Sequence, residues 1–405
     1  AEFAAAQELP AHTAAFAGRL CESAETLYEY LQLEDEAGVR ISKLYGYASC
    51  KSDQDTANAF YQDMRGKAMS LYVAYAGAGA FATPEIIAVD DERFESFYKD
   101  EPRLETYRRV LYRVRRMAAH VLSEAEERLL AAAGEMAASP DNIRSIFMNA
   151  DISFPAVKDA KGIEHTLTNE TFVPMLESED RPLRKAAFEA YYNRLGEFKN
   201  TVAAALDGQF KQLRFFSDAR NYPTTLAAAL DGNEVPEEVY ENLIDAVHAN
   251  MDKMYRYVAL RKKLLGVEEL HMYDVYTPLV PDATQKISFD EAKETVLAAL
   301  AVLGEDYTDL LKKGFAERWI DVYENQGKRG GAYSTDVSRP HPYVLLNHKD
   351  TLDGMFTLAH EMGHALHSWH SCKNQPVCTS DYVIFVAEVA STCNEVLLMR
   401  YLLSK

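Results

Sequence analysis

Apolar residues recur at helical spacing over most of the chain. Between residues 1 and 145 the pattern is almost continuous, in Leu20, Leu27, Tyr28 and Leu31 and again in Leu104, Tyr107, Val110 and Leu111. It predicts a succession of amphipathic helices. Ser123 followed by Glu126 makes a capping box for a helix through Leu130. Thr83-Pro84 predicts another start, with Thr83 as cap and Pro84 in the first turn. The period changes at 151–170, where Phe154, Val157, Ile163, His165 and Leu167 flank Lys158-Asp159-Ala160-Lys161-Gly162. That is a β-hairpin pattern with His165 as an exposed strand residue. Helices resume from Arg181 to about Leu265 with a break at Asp231-Gly232-Asn233, the chain is extended over 272–279, and a helical pair covers 288–315. Gly327 to Asn347 reads as turn–strand–turn–strand. A helix then begins at Asp350–Thr351 with Leu352, Met355, Phe356 and Ala359 as its buried stripe, and a last helix runs to Leu403.

The expected fold is therefore mainly α with a small β-sheet. At 405 residues the chain exceeds one ordinary core. We expect a helical N-terminal domain over 1–145 and a catalytic domain over 146–405. The net charge of −19 repels phosphate backbones and argues against a nucleic-acid partner. Five cysteines in a long chain do not make a disulfide framework and fit a reducing compartment. No apolar run approaches the ~18 residues of a membrane span, and no signal-peptide pattern opens the chain. A cytoplasmic location without a membrane partner is the expectation.

The chemistry is concentrated in His360-Glu361-Met362-Gly363-His364, an H-E-x-x-H pattern. Two histidines four apart on a helix project from one face and can grip one zinc ion. Glu361, next to the first, can reach a metal-bound water as general base. A catalytic zinc needs a third protein ligand, and two candidates compete. His370 has the spacing of a third histidine, but that arrangement needs a sharp turn where this chain has His367. A continuous helix through Trp369 carries His370 past the metal. Glu388, on the last helix among apolar neighbours, is the favoured ligand. Ser391 and Glu395 lie further along its face, placed to accept the free N–H of a ligating histidine.

HEMGHALHSWH followed by FVAEVASTCNE resembles the oligoendopeptidase F branch of the thimet oligopeptidase family of zinc metallopeptidases. MYDVYTPL, KRGGAYS and PYVLLN are similar to markers of the same family. The resemblance implies one catalytic Zn2+ on His360, His364 and Glu388, with Glu361 as base. It implies a multi-helix ellipsoid with a deep substrate channel and a small sheet beside the H-E-x-x-H helix. It further implies a metalloendopeptidase acting on oligopeptides, with Gly331, Ala332, Tyr333 and Ser334 pairing with the substrate backbone. Family members continue well beyond the third ligand, whereas this sequence stops at Lys405. The expectation is a catalytic domain without its C-terminal part, and a separate chain carrying that part is a candidate partner. Two rival readings stand beside the hydrolase. One is a peptide-binding protein with a vestigial zinc site; the other is a scaffold whose zinc is structural and draws on Cys372, Cys378 and Cys393.

Overall fold

In the computed structural model, which describes residues 2–137, 139–279, 286–336 and 341–405, helices follow the apolar periodicity along nearly the whole chain. Chain contacts divide it into two units, one of residues 119–283 and one that joins 1–118 to 284–405. The expected division of roles at 145/146 falls inside the first of these. No single described helix is long and apolar enough to cross a membrane.

In the 119–283 unit, β1 (Val157–Lys158) and β2 (Glu164–His165) form the expected antiparallel hairpin. His165 is half-buried there, not exposed, with its ring 3.2 Å from Asp159. From Arg181 on, helices Arg181–Glu197, Lys199–Ala219, Thr225–Asp231, Glu237–Ala249 and Met251–Leu264 follow one another. Leu243, Val247, Tyr255 and Leu264 stand exposed on the last two.

The segment expected to be extended at 272–279 instead opens with a 3₁₀ turn, Met272–Asp274, because Asp274 is a buried structural anion. Arg181 and Arg184 donate to its two oxygens at 2.8–3.1 Å, and Arg261 donates to its carbonyl at 3.1 Å. Burial pushes the Asp274 carboxyl up, but hydrogen bonds from Arg181, then Arg184 and the His271 backbone, outweigh it and bring the pKa down to about 2. Removing one partner of a buried ion pair strands the other.

The 1–118/284–405 unit carries the site. Its first half stacks the long helix Ala24–Gln54, capped by Ser23, on helix Ala59–Ala78. Thr83 is not a cap: the chain is already helical at Phe81, so helix Ala82–Ala88 starts without an extended cap residue. In the second half, helices Phe289–Leu300 and Glu305–Ala316 form the expected pair, with Ser288 and Glu291 closing a capping box. A three-stranded sheet follows in the order β3 (Ile320–Asp321), β5 (Tyr343–Leu345), β4 (Tyr333–Thr335). β5 runs parallel to β3 and antiparallel to β4. The H-E-x-x-H helix, Leu352–Asn374, and the last helix, Ile384–Leu403, pack on each other and on Phe289–Leu300. Their core includes Val296, Leu311, Trp319, Leu358, Met362 and Leu398. Each such buried side chain contributes roughly 1.5–3 kcal/mol. Leu352, expected in the buried stripe, is exposed at the first turn; Met355 and Ala359 are buried.

Asp274→Ala is expected to destabilise the 119–283 unit by ~3–5 kcal/mol at neutral pH, read by chemical denaturation. The depressed pKa makes the native carboxylate stabilising above the ordinary value of about 4, and this contribution fades as pH falls from there toward 2. The difference between parent and variant should therefore shrink over that interval.

Candidate metal centre

Thr351 caps the motif helix by accepting the Gly354 N–H at 3.1 Å. The helix then runs unbroken through Asn374, so His370 lies exposed beyond the motif. Ala387, Ser391, Asn394 and Leu398 recur at heptad spacing on the last helix and form the buried seam against the motif helix. Glu388 and Glu395 flank that seam seven residues apart, on one face.

At Gly363 the two helices come too close for a side chain. A Cβ there would lie 2.7 Å from the Ser391 Cα and 2.9 Å from the Ala390 carbonyl oxygen. This glycine is needed for space, not for backbone conformation. Asn394 fixes the register of the seam. Its Nδ2 donates to the Ala359 carbonyl at 3.0 Å and its Oδ1 accepts from the Tyr307 hydroxyl at 2.9 Å.

With that approach, three donor atoms converge among the described residues: Nε2 of His360, Nε2 of His364 and Oε2 of Glu388. The two nitrogens are 3.1 Å apart, and the oxygen lies 3.4 Å from the first and 3.3 Å from the second. Ligands of a tetrahedral zinc with bonds of ~2.0–2.1 Å are about 3.3–3.4 Å apart. The donors present fit such an ion. Nδ1 of His360 lies 2.7 Å from Glu395 Oε1. Donation of Nδ1–H to that carboxylate leaves the Nε2 lone pair facing Glu388 and His364. Ser391 does not reach a histidine; its hydroxyl donates to Glu388 Oε2 at 2.7 Å. That bond, and then the two histidines, hold the Glu388 carboxyl below its usual range. Burial lowers the His364 pKa, keeping its ring a neutral donor.

Glu361 is only 7% exposed. Burial pushes its pKa up, and Glu388 adds to the shift while His360 and the Ser334 backbone oppose it. One of its oxygens, Oε2, is buried without a hydrogen-bond partner among the described residues. A carboxylate of raised proton affinity with a free lone pair is suited to accept a proton.

β4 stands at the sheet edge beside the motif helix. The amides of Val344 and Leu346 donate to the carbonyls of Trp319, just before β3, and Asp321, within it, at 2.8 Å each. The alternation of the ladder then turns Tyr343 and Leu345 toward β4, where they pair with Thr335 and Tyr333. Ser334, between those two, turns its peptide N–H and C=O outward, toward Glu361. Ala332 precedes the strand, and Gly331 turns the chain into it with φ of +84°. Tyr333 points away, its hydroxyl donating to Asp53 at 2.9 Å. No cysteine joins the metal group among the described residues; Cys372, Cys378 and Cys393 are in no disulfide. Gly363, Asn394 and Tyr307 were not apparent as site residues from sequence. A polar residue on an apolar heptad seam was the available signal for Asn394.

Residues 174–405 match the model of peptidase family M3, and residues 85–154 match that of oligopeptidase F. The chain belongs to peptidase family M3. This M3 chain is 45% identical over 403 residues to oligopeptidase PepF of Bacillus subtilis (strain 168), covering 100% of itself and 60% of the relative. It is 41% identical over 390 residues to the group B oligopeptidase PepB of Streptococcus agalactiae serotype III (strain NEM316), covering 96% of itself and 65% of that protein. Among solved structures, oligoendopeptidase-F from Enterococcus faecium superposes with a TM-score of 0.69 at 32% identity, over 100% of this chain and 66% of that one. The M3 chain thus spans less than two thirds of these relatives' length. M3 is a metallopeptidase family, and the His–His–Glu group lies inside the matched segment.

Gly363→Ala is expected to force the helices apart and lower zinc affinity by about 5–150-fold, the size of a ~1–3 kcal/mol overpacking cost. Glu395→Gln is expected to weaken zinc by ~10–100-fold without unfolding the chain. Competition with a chromophoric chelator reads both; unchanged affinity in either variant rejects the role given to that residue.

Proposed function

We propose that this chain forms the metal- and base-bearing part of a zinc-dependent endopeptidase that hydrolyses bonds within short oligopeptides. The convergence of two imidazole nitrogens and a carboxylate oxygen at 3.1–3.4 Å, with a buried carboxylate beside them, carries the reading. His360, His364 and Glu388 would hold the ion, Glu395 orienting the first and Ser391 the third. A bound zinc supplies Lewis acidity to a peptide carbonyl and to a water.

The remaining steps fall to the protein. The outward Ser334 peptide group, with Ala332 and Gly331 before it, holds an extended substrate backbone by strand addition at the β4 edge. Tyr333 anchors that strand from behind. Glu361 accepts a proton from the attacking water and returns it to the departing amine, so that the leaving group departs neutral. Peptides are the natural substrate class because an edge strand reads main chain. The site residues all lie within 146–405, which we assign the catalytic role, leaving 1–145 a supporting one.

The test is cleavage of a quenched peptide of roughly ten residues by the zinc-loaded chain and its Glu361→Gln variant. Cleavage by the parent, reduced by a factor of 10² or more in the variant at equal zinc content, is the expected result for loss of a general base, about 10²–10⁴. Equal rates would remove Glu361 from the chemistry. Tight peptide binding by both, with no cleavage by either, would favour a peptide-binding role.

A further inference from the structure

β4 is three residues long and has the sheet on one side only. So short an edge strand does not hold itself in place. Its position is imposed by the loop that leads into it, and that loop is gripped on several sides. Lys328, with a fully buried side chain, donates to Asp321 Oδ1 at 2.9 Å and to the Tyr323 carbonyl at 2.6 Å. Asn347 Nδ2 donates to the carbonyls of Arg329 and Gly331 at 2.9 and 2.8 Å.

The remaining grip comes from the far end of the chain. The last turn of helix Ala24–Gln54 meets the same loop in a row of bonds. Arg329 N–H donates to the Asp53 carbonyl at 2.8 Å, Asn325 Nδ2 to the Gln54 carbonyl at 3.2 Å, and Thr56 N–H to the Gly327 carbonyl at 2.7 Å. Gly327 has φ of +84°, and a Cβ on it would lie 2.7 Å from Asp55 Oδ1. At the centre is Asp53, 5% exposed. Its Oδ2 accepts the Tyr333 hydroxyl at 2.9 Å and faces Arg329 Nη1 at 3.4 Å. From this helix end, Asp53 and, beside it, Cys50 both meet the Tyr333 hydroxyl and so reach β4 itself; the carboxylate is the stronger acceptor. The Tyr333 peptide group faces β5 while that of Ser334 faces outward, so fixing the Tyr333 side chain fixes the angle at which Ser334 meets Glu361.

We propose that Asp53 is a positioning residue for the peptide-binding edge: through Tyr333 it sets the height and tilt of the outward Ser334 peptide group beside the metal centre. The proposal rests on the peptidase reading for what the edge binds. It makes the N-terminal helix a part of substrate selection, though among the described residues no hydrogen bond or ion pair joins that helix to the metal group or to Glu361.

Asp53→Ala, Asp53→Asn and Tyr333→Phe separate this role from general support of the fold. Asparagine keeps an acceptor for the Tyr333 hydroxyl; alanine does not, and phenylalanine removes the donor. Hydrogen exchange of residues 329–336 and anisotropy of a labelled ten-residue peptide on the zinc-loaded chain are measured together. Asp53→Ala and Tyr333→Phe should each raise exchange in 329–336 and weaken the peptide by about 5–10-fold, the effect of one hydrogen bond. Their double variant should be no weaker than either alone. Asp53→Asn should stay within about twofold of the parent, and zinc affinity should not change in any of them. Unchanged exchange in Asp53→Ala, or raised exchange with unchanged peptide affinity, overturns the proposal. So does an Asp53→Asn variant as weak as the alanine one. A parent chain that binds no peptide at all overturns the peptidase reading instead, while exchange still decides whether Asp53 orders the strand.

Discussion

Everything at the metal centre depends on how closely two helices can approach. Imidazoles and carboxylates have short reach, and three donor atoms meet only if their backbones are held a fixed distance apart. Gly363 sets that distance by presenting no side chain to Ser391. Asn394 then sets the register, bonding to the carbonyl that immediately precedes the first histidine. Removing bulk and adding one buried amide are opposite devices, and the geometry needs both. Without the first the helices stand apart; without the second they could slide along the seam.

The electrostatics follow from the same packing. Glu388 and Glu361 carry the same functional group and sit on facing helices, yet their proton affinities are driven in opposite directions. Glu388 is open to solvent and takes a hydroxyl bond from Ser391, which suits an anionic ligand. Glu361 is sealed beneath the sheet edge, which suits a proton carrier. Two neighbouring carboxylates thereby become chemically distinct through burial and one hydrogen bond.

Much of this was legible in the residues. Helical periodicity located both helices of the centre and the start of the first near Asp350–Thr351, glycines followed by β-prone residues marked the β4–β5 pair, and the motif with the last helix supplied His360, His364, Glu388 and Glu395, the polar residues that converge. What escaped the sequence did so for physical reasons. β3 is two residues long, too short to show a period. The turn at Met272–Asp274 is closed locally by the His271 N–H on Asp274 but is held by three arginines, two of them roughly ninety residues away, which no local pattern reveals. Ser391 was placed on the right face but bonds the carboxylate, because a short hydroxyl side chain three residues past Glu388 reaches it before it reaches a ring across the seam. Gly363 shows no turn signal, since its value lies in the volume it leaves empty for a distant helix.

On the proposed reading, in which a peptide docks at β4, the short sheet edge has a consequence for what the chain would discriminate. An edge strand of three residues with alternating peptide groups offers a visitor few main-chain bonds, and main-chain bonds are the same for every amino acid. Recognition of that kind is generic in composition and strict in conformation. It would admit any segment that can lie extended against the strand and refuse one already committed to a helix or a folded core. Selectivity would then reside in the conformational state of the incoming chain and favour peptides already released from folded structure.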